Sequence, residues 1–227
     1  MIRTTLHETV LAIETGVLGG SLSIVRSGIE IAGISGDSNF SRAEDLLANI
    51  KSLIQRAGIS KSDIRALAVS RGPGSYTGIR IGLATAAGLS RSLQIPAIGV
   101  PLLDAIALMY GVHRSTAVVM PFGRSDFVIQ RFTNDPQEAP NARAMKVVDP
   151  AGLREALAGS EFETLICHKV SVDVLKKLLE SIPTTPKLVA AESNLALAVY
   201  FWSAAFPNSV DMTPIYAANP IHANNLF

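Results

Sequence analysis

The sequence contains a single cysteine, Cys167, among 227 residues. One thiol closes no internal disulfide and builds no cysteine-rich metal site. Charge is sparse and balanced: twenty basic and nineteen acidic residues leave a formal net charge of +1, and charged residues make up 17% of the chain. Phosphate neutralisation supplies most of the energy with which a protein grips nucleic acid, so a chain that binds it alone carries a clustered basic excess. No such cluster is visible, and a firm grip on nucleic acid by this chain alone is not expected. Long apolar runs are also missing. The first, residues 10–13, is far shorter than a signal-peptide core or a membrane span. Together these features predict a soluble protein of a reducing compartment, the cytoplasm, with no membrane association.

What is present suits a folded α/β protein. Hydrophobic residues make up 48% of the chain, enough for a sizeable core. Residues 10–13 read as a buried strand, and the segments 21–25 and 29–34 around Gly28 read as a hairpin continuing it. Ser41 and Glu44 form a capping box. Behind it Ala43, Leu46, Leu47, Ile50, Leu53, Ile54 and Ala57 recur at helical spacing as far as Gly58, which predicts an amphipathic helix over 42–57. Strands are expected at 64–70 and 97–100, with helices at 77–93 and 102–110. Further strands are expected at 117–120, 127–132, 162–167 and 188–190, and helices at 150–158, 172–179 and 194–205. The segment 134–141 reads as a loop and the tail from 212 as irregular; no internal repeat is visible. A boundary near 111–115 divides the chain into lobes 1–110 and 111–227.

The segment 71–82, RGPGSYTGIRIG, carries the most information. A strand feeds a glycine-rich loop, and a helix begins directly after it. Such a corner either cradles an anion on the helix N-terminus or is a tight turn capped by Ser75 or Thr77. It matches neither the P-loop nor the dinucleotide fingerprint. The helix behind it carries one charge, Arg80, between Gly78 and Ser90, and small or apolar side chains lie on all its faces. A helix of that kind is covered on every side. Its cover is either the rest of this chain or a second protein.

The combination of LAIET, SRAEDLLANIKSLIQRAGIS, AVSRGPGSYTGIRIGLATAAGLS and IPAIGVPLLDAIA, spread over residues 10–110 in that order, resembles the TsaB (YeaZ) family. That family is the truncated relative of the TsaD enzymes within the actin-like (ASKHA, RNase H-like) fold class. The resemblance implies an α/β protein of mixed sheets with flanking helices in two lobes. It implies a non-catalytic subunit, without cofactor or metal, that pairs with a TsaD-like enzyme. A TsaE-like ATPase assists threonylcarbamoyl transfer to adenosine 37 of ANN-decoding tRNAs. A homodimer is a further expectation. The partner surface would comprise Leu46, Leu47, Ile50, Ile54, Ile79, Gly82, Leu83, Ala86 and Leu89. The chain departs from the family pattern at Gly16, Ser41, residues 121–124 and residues 216–218.

Two enzymatic alternatives stand beside this reading. Glu14 occupies the place where actin-like ATPases keep an acidic residue near the phosphates. With Thr15, Gly72, Gly74, Ser75 and Thr77 it could bind an anion or nucleotide, as a nucleotide-dependent phosphotransferase would. A glycoprotease-like peptidase needs a nucleophile and a base. Ser75 has no histidine assignable to it, because His7, His113, His168 and His222 are scattered. A TsaD-type metal site needs two histidines one helical turn apart, and no pair of the four has that spacing.

Overall fold

The computed structural model describes residues 8–35, 45–112, 115–132, 145–158, 162–180, 182 and 185–217. The capping box at Ser41 and Glu44, the loop 134–141 and the end of the tail lie outside the described residues.

The first sheet begins with β1 (Thr9–Glu14), β2 (Ser21–Arg26) and β3 (Ile29–Ser35), an antiparallel meander. Ser27 and Gly28, both at positive φ, turn β2 into β3. Next come α1 (Leu46–Arg56), a short 3-10 turn at Lys61–Asp63, β4 (Ile64–Ser70), α2 (Tyr76–Leu93), β5 (Ala97–Val100) and α3 (Leu102–Tyr110). Crossover helices make β4 parallel to β1, and β5 parallel to β4. The order is β3-β2-β1-β4-β5.

The second sheet contains β6 (Thr116–Phe122), β7 (Asp126–Phe132) and β8 (Lys146–Val148), followed by α4 (Pro150–Ala158), β9 (Thr164–His168), α5 (Val172–Leu179), β10 (Lys187–Ala191) and α6 (Leu195–Ala205). Its order, β8-β7-β6-β9-β10, repeats that of the first sheet, with the same antiparallel and parallel pairings. The repeat is one of topology and leaves no trace in the residues. β8 escapes the sequence reading because a three-residue strand has no periodicity to detect.

The chain divides into two compact units: Met1–Met109 with Ser193–Ile215, and Tyr110–Glu192 with Tyr216–Phe227. α6 belongs to the first unit. There α6 packs against β1, β2, β4 and β5. Every residue of β1 is buried. Leu11 and Ile13 face the core cluster with α1 and α2, and strand alternation turns Val10 and Ala12 to the opposite face, the one α6 covers. The helix docks through polar anchors as well: Ala196 N donates to Ser21 Oγ at 2.9 Å, and Asn194 Nδ2 to Glu30 Oε1 at 2.6 Å. In the second unit Ala117, Val119, Leu153, Leu165, Cys167 and Leu175 form the corresponding core.

Candidate functional site

Glu14 is the last residue of β1 and is 1% exposed. Beyond it the chain turns sharply, and Oε1 of Glu14 accepts hydrogen bonds from Gly16 N at 2.6 Å and Val17 N at 3.1 Å. Gly20 N closes the turn onto Val17 O. Oε2 is buried without a partner. Burial pushes the carboxyl up to about 7, against the opposing pull of the two backbone donors. The side chain caps its own turn.

The glycine loop closes over that turn. Ser75 N donates to Gly16 O at 2.7 Å, and Thr15 Oγ1 donates to Gly78 O at 2.8 Å. Glycine is required at both contacts: a Cβ on Gly74 would meet Gly16 O at 2.5 Å, and one on Gly78 would collide with Thr15 O. Ser75 is the N-cap of α2, its side chain accepting from Gly78 N. Ile79 N bonds Ser75 O, and Gly72 N donates to Ser70 Oγ. Gly72, Gly74, Ser75 and Glu14 are thus brought together at one corner of the first sheet, with Thr15 beside them and Thr77 exposed on α2. Four N–H groups of the loop and the first turn of α2, those of Gly72, Ser75, Gly78 and Ile79, are donated within the protein.

Among the described residues no three of His, Cys, Asp and Glu converge. Burial pushes the Cys167 thiol up to about 11, and the neighbouring His168 accepts from Val170 N at 3.3 Å. His168 is 3% exposed and belongs to the interior.

A strap holds the same corner from below. Arg71 Nη1 pairs with Asp211 Oδ2 at 2.5 Å and donates to Thr213 O at 3.0 Å, while Ile215 N donates to Arg71 O at 2.6 Å. The sequence reading missed this contact, because no spacing rule links residues 140 positions apart.

The residues assigned to a partner surface separate into two groups. Leu46, Ile50, Ile79, Gly82, Leu83 and Ala86 are buried in the first unit's own core. A Cβ on Gly82 would collide with Thr15 Oγ1. Positions 79, 82, 83 and 86 form the inward face of α2, at the i, i+3, i+4, i+7 spacing that packs on the sheet, while Ile50 also lines the groove between α1 and α2. The outward face carries Thr77, Arg80, Ala84, Ala87, Gly88 and Arg91. Arg80 lies over the Tyr76 ring at 3.8 Å.

Leu47 is 61% exposed, and Ile54 and Leu89 are half-buried. These three border a groove of about 470 Å³ between α1 and α2. Leu93 extends its wall, and Leu11 and Leu67 form its floor.

The model of the TsaD family, described as tRNA N6-adenosine threonylcarbamoyltransferase, matches residues 40–222. The TsaB biosynthesis protein of Buchnera aphidicola subsp. Schizaphis graminum is 32% identical over 102 residues, 45% of this chain and 48% of that protein. The chain spans about half the length of curated relatives it matches. The structure of YeaZ from Pseudomonas aeruginosa superposes with a TM-score of 0.64 at 21% identity, covering 92% of this chain and 99% of that one. An inorganic polyphosphate/ATP-glucomannokinase from Arthrobacter superposes at 0.58 with 12% identity, covering 89% and 100%. These likenesses establish the actin-like fold. The family match over most of the chain places it in the TsaD family, and TsaB proteins are among the relatives it resembles.

Proposed function

We propose that this chain is a non-catalytic subunit that pairs with a TsaD-like enzyme in the threonylcarbamoylation of adenosine 37 in ANN-decoding tRNAs. A TsaE-like ATPase completes the machinery, and tRNA is held by the complex and not by this chain. The carrying observation is the closed corner. Gly16 and Gly74 touch through their backbones where an actin-like enzyme would seat phosphate, and Glu14 is folded into its own turn. A phosphotransferase on this fold needs that space open. The names of the TsaB relatives support the same reading.

The groove between α1 and α2 supports the pairing. An exposed leucine beside an apolar channel is costly to leave in water and suits a packed interface. For the peptidase alternative, Ser75 Oγ is engaged as a helix cap, and His168, the one histidine among the described residues, accepts from its own turn. Mixing the chain with its host's TsaD-like enzyme and measuring stoichiometry by sedimentation tests the pairing. A defined complex is expected with wild type and a weakened one with Leu47→Asp. Separate migration of the two wild-type proteins contradicts it.

A further inference from the structure

The turn after β1 is folded against its own backbone preference. Leu18, Gly19 and Gly20 all hold positive φ, at 36°, 89° and 76°. Leu18 is not a glycine, so a left-handed backbone strains it, and its side chain gains little burial there, at 46% exposed. Gly20 presses back on the strand, where a Cβ would meet Glu14 O at 2.6 Å. The turn is held closed by the hydrogen bonds that Gly16 N and Val17 N donate to Glu14 Oε1.

Oε2 of the same carboxyl is buried with no hydrogen-bond partner. A carboxylate there leaves charge on an unsolvated oxygen, and a carboxylic acid does not. Among the described residues no cation faces it. On β2 the one charge, Arg26, lies opposite Thr9 at the far end of β1, and Arg65 of β4 stands beside that same end. Arg71 of the loop is paired with Asp211. Tyr76, Arg80 and Arg91 of α2 are exposed. Tyr200, the one titratable residue of α6, hydrogen-bonds to the backbone of Gly28 at the turn between β2 and β3.

We propose that Glu14 is a proton-operated latch on this turn. Carrying its proton, the carboxyl stays folded beneath residues 15–20. The turn then holds the glycine loop through the Ser75 N to Gly16 O and Thr15 Oγ1 to Gly78 O bonds. Without the proton the carboxylate moves out to water, the strain at Leu18 is released, and both bonds open. The folded carboxyl titrates at about 7, and a solvated one at its ordinary 4.5. The closed form is therefore favoured at low pH, weakens as pH rises between those values, and weakens no further above about 7. The latch is independent of the pairing with an enzyme.

Amide hydrogen exchange of the full chain, read residue by residue by NMR, tests it. Between pH 5 and 7.5 the protection of Gly16, Val17 and Ser75 is expected to fall on the order of fiftyfold, after correction for intrinsic exchange. It should stay below that of Leu67, whose amide donates to Pro96 O within the first sheet. It should also ignore low urea, because a local opening exposes little surface. Glu14→Gln keeps the acceptor, removes the titration and should flatten the profile. Thr15→Val keeps Glu14 and deletes the hydroxyl contact to Gly78, so exchange at Ser75 should quicken at every pH with the wild-type slope. A corner as protected as Leu67 and equally sensitive to urea would overturn the latch, since the acid would then act only on global unfolding. A pH-independent corner, a Gln variant with the wild-type slope, or a Val variant with unchanged exchange would overturn it as well.

Discussion

At Glu14 the direction of pH dependence follows from burial. Its folded carboxyl titrates at about 7 against an ordinary value of 4.5. Between those values the unfolded chain has lost its proton while the folded chain still holds it, so stability falls as pH rises through this window and levels off above about 7. The displacement corresponds to about 3 kcal/mol. Glu14→Gln keeps an acceptor for Gly16 and Val17 and removes the charge. Thermal melts from pH 4.5 to 8 should show a declining wild-type midpoint and a flatter profile in the variant; parallel profiles would contradict the assignment. Gly82 gives a second test. A bulky side chain there strikes Thr15 inside the unit, so Gly82→Leu should lower stability by about 1–3 kcal/mol in denaturant titrations. An unchanged midpoint would return Gly82 to the surface.

At the scale of the element, α1 and α2 show what a pattern can and cannot reveal. The periodicity of Leu46, Ile50 and Leu53 locates α1 and its buried face. Its end is equally legible: Ile59 N bonds Ile54 O and Gly58 N bonds Gln55 O, the paired contacts that a glycine after a helix announces. α2 is harder. Small and apolar residues on all its faces leave no polar stripe to mark the outside, so the inward residues Ile79, Gly82, Leu83 and Ala86 read as well for a partner surface as for a core. Only the position of the loop at Thr15 and Gly16 decides between them. Leu47 offers a clean separation of folding from binding. It is largely exposed, so Leu47→Asp should leave the stability within about 0.5 kcal/mol of wild type. Loss of an apolar contact in a packed interface should weaken enzyme binding by about tenfold. A collapsed melt would place Leu47 in the core.

At the scale of the whole molecule, the elements of the first sheet were legible because each is bounded by its own turn or cap. The fivefold strand order shared by both sheets was not, since a topology can repeat while the residues diverge. The return of α6 to the first unit was equally hidden: its apolar sequence says that it is covered but not by which sheet. Net charge also acts at this scale. With +1 overall, the chain releases few counterions on contact with RNA, so filter binding of tRNA to the isolated protein should be weak. Submicromolar binding at physiological salt with a steep salt slope would contradict that expectation. The central claim is that the chain supports transfer without performing it. The direct measurement is threonylcarbamoyl transfer to an ANN-decoding tRNA, reconstituted from the TsaD-like enzyme and the TsaE-like ATPase with and without this chain. Turnover should require the chain, persist with Ser75→Ala, and be absent when the chain is supplied without the enzyme. Transfer by the chain alone, or transfer unaffected by its omission, would contradict the account.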